Sequence, residues 1–431
     1  MDRSSTTRRR FLLAAGAASS AALAGCNDLG DLGEGSSEEI PLGELPEVPD
    51  EGESVPVVAD AVPVDIERAK LQATATRVTD LLETLPLPLG AREIPNGYVR
   101  GRLVDAADEA TTYLDEARSA TTRLSALQSL RYARTEARFA AEGWAFVEDG
   151  RTKAELRERH RETVEDAEAF RSAHEYRGTD PVRAVVVHAH VEANVRRVLA
   201  DREPSVYEES GDLLTVAEWG EYAESARTHL EDGRYLYERF TDSLSPGAGS
   251  LEGTFDSAAD SLVTDVRRRR DELPPEGTPD ERDLGWELQY RLRSDAESSA
   301  KNVGDGDGAA STVVDATGAL TDLLAYERVR NRAEDGERFG AETGADVREA
   351  RSTALETIRA ALTEAERPAL ARGVLADAAV QVTFADEELA RIRRSVRPRR
   401  LDDPMRRYVT ATVRARSVPE ATRQVVAALE S

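Results

Sequence analysis

The stretch RLSALQSLRYARTEARFAAEGWAFVEDG, residues 123–150, decides the fold class of this chain. Its apolar and small side chains recur at steps of three and four, the spacing of one face of an α-helix. The members of this face are Leu124, Leu127, Leu130, Ala133, Ala137, Ala140, Trp144 and Val147. Gly150 follows directly, and glycine is the residue that most often ends a helix. The stretch therefore predicts a long amphipathic helix, and its alanines allow another helix to approach closely.

The same pattern continues from about residue 64 to the C-terminus. Asp180-Pro181 and Asp403-Pro404 each place a capping acid before a proline at the first position of a helix. No segment shows sustained alternation of β-branched and polar residues, so we expect no sheet. Aromatic residues make up only 5% of the chain, as is common in helical bundles. The sequence therefore predicts an all-α fold built of helical bundles.

Short matches relate the two halves of this helical body and run in the same order. The matched residues, between 185 and 193 positions apart, are Val78 and Val263, Leu85 and Leu273, Arg102 and Arg291, Leu127 and Leu320, Gly143 and Gly336, Pro181 and Pro368, and Tyr222 and Tyr408. An internal duplication explains the order, and chance matching in a chain rich in Ala, Leu and Arg is the alternative. Duplication predicts two helical lobes, residues 62–245 and 250–431.

The N-terminal segment 1–25 has the features of an export signal. Its residues TRRRFL, 7–12, resemble the twin-arginine signal Ser/Thr-Arg-Arg-x-Phe-Leu, and this resemblance assigns the signal to Arg8, Arg9, Phe11 and Leu12. The apolar run that follows, up to residue 25, is too short and too weakly apolar for a permanent membrane span. We expect a cleaved twin-arginine signal peptide.

Cys26 is the only cysteine of the chain, and it directly follows Leu23, Ala24 and Gly25. These four residues resemble a lipobox, in which the cysteine is lipidated and becomes the mature N-terminus. A plain cleaved signal peptide followed by an incidental cysteine is the alternative. The resemblance implies a membrane partner reached through lipid at Cys26, and a location on the outer face of the cytoplasmic membrane. It leaves no thiol for a disulfide, a zinc–thiolate site or a cysteine nucleophile.

The composition is strongly acidic. The net charge is −25, and because residues 1–25 hold one acid against four arginines, the chain from Cys26 onward carries −28. Lysine occurs only at Lys70, Lys153 and Lys301. Such a chain resembles the proteins of extreme halophiles, and with its signal it resembles a haloarchaeal twin-arginine lipoprotein. In concentrated salt the Debye length falls to about 3 Å, which screens the self-repulsion. We expect no nucleic-acid partner, because the acidic chain repels phosphate and high salt weakens phosphate contacts.

Residues 26–60 are rich in glycine, proline and acid and contain no aromatic residue. Such a segment buries too little apolar area by itself to offset the entropy lost on ordering. We therefore expect a disordered acidic tether between the lipidated Cys26 and the helical body.

The stretch VVVHAHVEANV, residues 185–195, contains the candidate metal site. His188 and Glu192 are four residues apart and share a helix face, so they could hold a divalent metal if a second helix supplied more ligands. The alternative is a hydrogen-bonded core histidine, because His188 also lies on the apolar face of this helix. Residues 303–310, VGDGDGAA, look like part of a calcium loop but place Ala316 where the bidentate glutamate is required, so a helix connector is favoured.

Residues 391–423 contain eleven arginines but only three acids, Asp402, Asp403 and Glu420. Two interpretations are open for this basic end. Its arginines could pair with acidic helices of the same molecule, or they could form a docking patch for anionic lipid headgroups or an acidic partner. We favour internal pairing, because the chain has a large excess of carboxylates.

The sequence carries no serine-hydrolase elbow, no H-E-x-x-H, no phosphate loop and no dinucleotide fingerprint. No cofactor is predicted, and an enzyme is the less favoured class. A duplicated helical lipoprotein is similar in architecture to the imelysin-like proteins of iron uptake, but their Gly-x-His-x-x-Glu motif is missing. We expect a surface-anchored, non-enzymatic helical lipoprotein that binds a partner, such as an unknown envelope protein, or supports an envelope complex. The alternative is a metal-binding accessory of an uptake system using His188 and Glu192.

Overall fold

The computed structural model describes residues 39–50, 52, 54–200, 211–275, 283–305 and 308–431. Within these ranges the chain forms twelve α-helices, two short 3-10 helices (Leu42–Glu44 and Pro398–Leu401) and one pair of two-residue strands, so the predicted all-α fold is confirmed. The helices are α1 (Arg68–Leu82), α2 (Gly97–Ser119), α3 (Arg123–Asp149), α4 (Lys153–Ala173), α5 (Pro181–Leu199), α6 (Gly211–Asp242), α7 (Glu252–Asp271), α8 (Leu284–Asn302), α9 (Ala309–Glu334), α10 (Gly344–Glu364), α11 (Pro368–Ala390) and α12 (Asp402–Leu429). The strands are β1 (Arg177–Gly178) and β2 (Gly249–Ser250).

Local sequence sets most of the helix ends. Gly150 ends α3 in the left-handed conformation, with φ of 69°. The side chain of Asp180 accepts hydrogen bonds from the first amides of α5, which begins with Pro181 at its first turn. The predicted cap Asp403 is wrong, however. The helix α12 already begins at Asp402, directly after a 3-10 helix, and Asp403 lies inside its first turn.

The helices form two lobes of six, α1–α6 and α7–α12, and the same packing pairs recur in both. In each lobe the third helix packs against the first, second and sixth helices, and the sixth packs against the fourth and fifth. The fourth helix of each lobe begins with a capping box, built on Thr152 in α4 and Thr343 in α10. The fifth begins with proline in both. This recurrence is the order that an internal duplication predicts.

The helix ends correct the register of two sequence matches. Gly336 follows α9 with φ of 85°, so it corresponds to Gly150 after α3 and not to Gly143. Gly143 lies inside α3, where an added Cβ would meet Leu103 and Ala217. The match of Leu127 with Leu320 is therefore on corresponding helices but about two turns out of register. A shift of seven residues keeps the same helix face, which explains why the apolar pattern still matched.

The helix α5 joins the lobes. It packs against α6 of its own lobe and against α9 and α11 of the other. The strands β1 and β2 add a short antiparallel link, with Arg177 opposite Ser250. One apolar core runs through both lobes and includes Val185 of α5, Leu320 of α9 and Leu375 of α11. Residues 39–431 accordingly form one compact unit.

The predicted disordered tether, residues 26–60, is wrong in its second part. Ile40 forms an antiparallel bridge with Val396, with N–O distances of 2.8 and 3.0 Å. Ile40, Leu45 and Val58 are buried in the main core. The composition argument fails here because these few apolar side chains do not need to build a core of their own. They fill positions on a large preformed body instead. Residues 26–38, 51 and 53 lie outside the described part.

The predicted signal peptide, with Arg8, Arg9, Phe11 and Leu12, and the lipobox of Leu23, Ala24, Gly25 and Cys26 also lie outside the described residues. Among the helices of the described ranges, none combines the length and the apolar character needed to cross a bilayer.

Candidate functional site

A cavity of about 460 Å³ lies between the lobes, where α5, α8, α9 and α11 meet. Four aspartates line it: Asp60, Asp315, Asp322 and Asp377. The imidazole of His190 on α5 faces the same space. Apolar side chains of Val186, Leu370 and Val374 complete the wall. The cavity thus combines several acidic groups with an apolar lining at the junction of two lobes.

Helix geometry brings the aspartates together. Asp315 and Asp322 are seven residues apart on α9, so they lie on one face, two turns apart. Asp377 projects from α11. Asp60 precedes α1, and its backbone carbonyl accepts a hydrogen bond from the Thr122 hydroxyl at 2.7 Å. The adjacent Ala59 carbonyl accepts one from Arg372 on α11 at 3.2 Å.

Two glycines keep the cavity open. Apart from the adjacent backbone of α9, no heavy atom lies within 4 Å of the point where a Cβ on Gly318 would stand, so the space beside this glycine is open. A Cβ on Gly373 would have only the Oδ1 of Asp60 nearby, at 3.8 Å. Side chains at these positions would therefore fill room that a ligand can occupy.

The carboxylates are incompletely compensated. Burial raises the pKa of Asp377 above its usual value, and the negative charges of Asp60 and Asp322 raise it further, with only Arg414 opposing them. Burial also raises the pKa of Asp322, although the Nε of Arg414 lies 3.0 Å from its Oδ1. Burial raises the pKa of Asp315 in the same way, against the attraction of Arg196. A bound cation would relieve this excess of negative charge.

His190 contributes polarity without positive charge at neutral pH. Burial lowers the pKa of its imidazole, and Arg131 lowers it further, while Asp60 opposes both effects. The cavity as a whole favours a positively charged ligand with an apolar portion.

The structure gives His188 another role than the proposed metal ligand. Its ring is fully buried, and its Nδ1 lies 2.9 Å from the Nε2 of His174. Its Nε2 lies 3.0 Å from the backbone carbonyl oxygen of Arg177. Phe240 and Phe255 pack against the ring. His188 is thus a hydrogen-bonded core histidine, the alternative that its apolar helix face had left open.

Glu192 is engaged by donors of the protein itself. Its carboxylate accepts hydrogen bonds from the Tyr176 hydroxyl at 2.5 Å and from the backbone amide of Ser311 at 2.6 Å. Within the described ranges, no group of three or more His, Cys, Asp or Glu side chains is arranged to hold a metal ion. The metal hypothesis for His188 and Glu192 is therefore corrected, since both are occupied by structural hydrogen bonds.

Sequence reasoning missed the acidic cavity, because the chain has 82 acidic residues and pairs of them are uninformative. One signal was present. The segment AASTVVDATGALTDLLAYERV, residues 309–329, is otherwise almost entirely apolar or small up to Tyr326, and Asp315 and Asp322 interrupt it on one face. An acid on an otherwise apolar helix interrupts the surface that packs against other helices, so it marks a place that is open to solvent or to a ligand; Asp315 is exposed and Asp322 half-buried. The calcium-like stretch 303–310 connects α8 to α9, and its residues 306 and 307 lie outside the described part.

The arginines of residues 391–423 differ in how their charge is compensated. On α12, Arg406 pairs with Asp403 and Glu287, Arg407 with Glu388, and Arg414 with Asp295 and Asp322. These three arginines agree with the favoured interpretation of internal pairing, but Arg416 and Arg423 on the same helix are exposed, and no carboxylate of the described ranges lies within salt-bridge distance of them. The arginines between α11 and α12 are exposed as well.

Comparison with known proteins gives two family matches, one in each lobe. Residues 69–246 are similar to a family described as a domain of unknown function, DUF8262, and residues 252–427 to another, DUF8264. Searches of curated proteins and of solved structures give no significant match. The chain is thus an all-α protein whose two helical lobes, in tandem, are similar to two different families.

Proposed function

We propose that this chain is a lipid-anchored, non-enzymatic surface protein of an extreme halophile, and that its helical body is a binding module for an organic cation. The single observation that carries the binding role is the acidic cavity between the lobes. Its lining combines negatively charged side chains with an apolar surface around an enclosed space, and these are the features with which a protein recognises a small molecule. The metal-binding alternative is not carried forward, because His188 and Glu192 have structural partners.

The chemistry of the lining selects the class of ligand. A volume of about 460 Å³ lies within the range of small-molecule sites, roughly 300–1,000 Å³. The four aspartates recognise positive charge, while Val186, Leu370 and Val374 suit an aliphatic portion. A linear amine with two or more ammonium groups meets both requirements. Metal ions fit less well, since the described carboxylates do not converge to metal-ligand geometry.

The location rests on residues 6–26, whose pattern resembles a twin-arginine signal followed by a lipobox. Fractionation of cells tests this part. We expect the wild-type chain in the membrane fraction with a lipid mass on Cys26, and Cys26→Ser should abolish the lipid modification. Arg8→Lys combined with Arg9→Lys should block export. Unchanged processing and lipid labelling of Cys26→Ser would contradict the anchor.

Thermal unfolding tests the binding role. Spermidine added at about a hundred times its dissociation constant should stabilise the folded chain by about 2.7 kcal/mol and raise the melting temperature by a few degrees. Potassium chloride at equal ionic strength is the control, because it reproduces screening without the spaced ammonium groups. An equal effect of spermidine and of the control salt would contradict the proposed binding.

A further inference from the structure

The connection between α11 and α12, residues 391–400, forms an exposed basic surface that we call the arginine loop. Six of its ten residues are arginines, and all six are exposed: Arg391, Arg393, Arg394, Arg397, Arg399 and Arg400. Part of the loop surrounds a recess of about 530 Å³, which Arg391, Arg393, Arg394 and Arg400 line together. Positive charge is thus concentrated on one short segment of a chain whose net charge is −25.

The loop differs from Arg406, Arg407 and Arg414 of α12 in how its charge is compensated. Glu388 and Asp403 also line the recess, but Glu388 lies 2.9 Å from Arg407 and Asp403 lies 2.6 Å from Arg406. In the described part of the chain, no carboxylate lies within salt-bridge distance of Arg394, Arg397 or Arg400. Glu388 and Asp403 are therefore paired with arginines of α12, and Asp402 is attracted by Arg399, whereas Arg394, Arg397 and Arg400 retain their positive charge.

The arginine loop lies beside the first described residues of the chain. Val396, in the middle of the loop, pairs with Ile40 through two backbone hydrogen bonds. The chain that leads from Cys26 therefore enters the body beside the arginines. Twelve residues lie between Cys26 and Glu39, and covalent geometry limits the distance between these two residues to about 45 Å. An anchor at Cys26 thus keeps the arginine loop near the bilayer surface.

We infer that the arginine loop docks on the anionic phospholipid headgroups of the membrane that holds the anchor, an inference that rests on the proposed lipid attachment. Guanidinium groups bind phosphate oxygens in pairs of parallel hydrogen bonds, so they keep short-range contacts when salt screens longer-range attraction. The remaining acidic surface is repelled by the same headgroups. The two effects together orient the body with the loop toward the membrane and the rest away from it.

The test uses the full chain with Cys26→Ser, so that no lipid contributes to binding. Sedimentation with phosphatidylcholine vesicles, with and without phosphatidylglycerol, is measured at the lowest salt at which circular dichroism shows the fold. The variant Arg394→Glu, Arg397→Glu, Arg400→Glu removes the loop charge. Its matched control is Arg92→Glu, Arg171→Glu, Arg359→Glu, since these three arginines are exposed and the change in net charge is equal.

We expect the parent protein to bind only vesicles that contain phosphatidylglycerol. The affinity for these vesicles should fall about tenfold or more in the loop variant and change by less than about twofold in the control variant. Equal losses in both variants, or no binding of the parent protein, would overturn the inference. The chain's own acidic segment is the competing occupant of the loop. If binding appears only after Asp28, Asp31, Glu34 and Glu38 are changed to amides, that segment occupies the loop and the inference is wrong. Because the anchor is removed throughout, failure of the lipobox would appear in cell fractionation and not here.

Discussion

The carboxylate of Glu192 on α5 accepts a hydrogen bond from the backbone amide of Ser311, 2.6 Å away in the first turn of α9. The first amides of a helix have no partner within it, and a negative charge there is favourable. Tyr176 extends the contact, since its hydroxyl donates to Glu192 and accepts from the amide of Ala309 at 3.2 Å. A side chain of the first lobe therefore caps a central helix of the second.

Replacing this cap should destabilise the whole body. Glu192→Ala would leave the Ser311 amide and the Tyr176 hydroxyl without a partner in the interior. We expect the free energy of unfolding to fall by about 2–4 kcal/mol, measured by denaturant titration. Glu168→Ala, at an exposed position of α4, is the control and should change it by less than about 0.5 kcal/mol. Equal effects of the two variants would show that Glu192 does not link the lobes.

The histidine pair should make stability fall in acid. The Nδ1 of His188 lies 2.9 Å from the Nε2 of His174, and its Nε2 lies 3.0 Å from the Arg177 carbonyl oxygen, so the two rings form a buried pair in which burial disfavours positive charge. Burial and then the neighbouring His188 lower the pKa of His174 from 6.5 to about 4. Because the folded-state pKa lies below the unfolded-state value, this stability is complete above about pH 6.5 and is lost as the pH falls toward 4.

His174→Asn removes the titrating group. The fall in the free energy of unfolding between about pH 6.5 and 4 should then be smaller by about 1–3 kcal/mol. Unfolding curves measured across this pH range, for the wild type and for the variant, provide the check. His229 titrates in the same direction, since burial lowers its pKa to about 3, so some slope should remain in the variant. Superimposable profiles of the two proteins would contradict the role of the pair.

A buried ion pair between α3 and α6 should contribute more than exposed ones. Burial alone would raise the pKa of Glu224, but Arg138 and Arg134 hold it at about 2. Arg134→Met leaves this carboxylate short of a partner, and we expect a loss of about 2–4 kcal/mol in unfolding free energy. Adding Glu224→Gln to Arg134→Met should restore part of the lost unfolding free energy, because it removes the unpaired charge. The exposed pair Arg161–Glu158 on α4 should give a smaller coupling energy in the same double-mutant cycle, because water screens both charges. Equal coupling energies would contradict this account.

Chelation tests the corrected metal assignment. His188 and Glu192 are satisfied by protein groups, so we expect no change in the melting temperature after dialysis against a chelator. A fall that added divalent metal reverses would restore the metal hypothesis for these residues.

Cation binding should release protons, because burial raises the pKa of Asp315, Asp322 and Asp377. A bound ammonium group favours the ionised carboxylates, so affinity should increase with pH across their titration range. Calorimetry in buffers of different ionisation enthalpy measures the protons released. Uptake of protons on binding, or affinity that is independent of pH in that range, would contradict binding beside these aspartates.

Patterns of neighbouring residues made the helical fold predictable. The apolar face of α3, its terminal Gly150 and the Asp180-Pro181 start of α5 all depend on contacts within a few residues. The recurrence of the pattern in two lobes could also be predicted, because each short match depends on neighbouring residues. The packing of Ile40 and Leu45 was not, because it depends on a surface built by distant helices.

The candidate site could not be predicted from the sequence, because it is formed by residues that are far apart along the chain. Asp60, Asp315 and Asp377 come from three separate parts of the chain, and only the fold brings them together. His188 shows the opposite error. Its spacing to Glu192 suited a metal, but its actual partner is His174, which lies beyond the end of the preceding helix and carried no periodic signal.

Isothermal titration with spermidine tests the central claim, that the cavity between the lobes binds an organic cation. The informative variant is Asp315→Asn with Asp377→Asn, and the control is Asp108→Asn with Asp260→Asn, at two exposed positions with the same change in charge. The account predicts a dissociation constant about tenfold or more higher for the cavity variant, equivalent to about 1.4 kcal/mol, and a change below about twofold for the control. Equal affinity of wild type and both variants would contradict it.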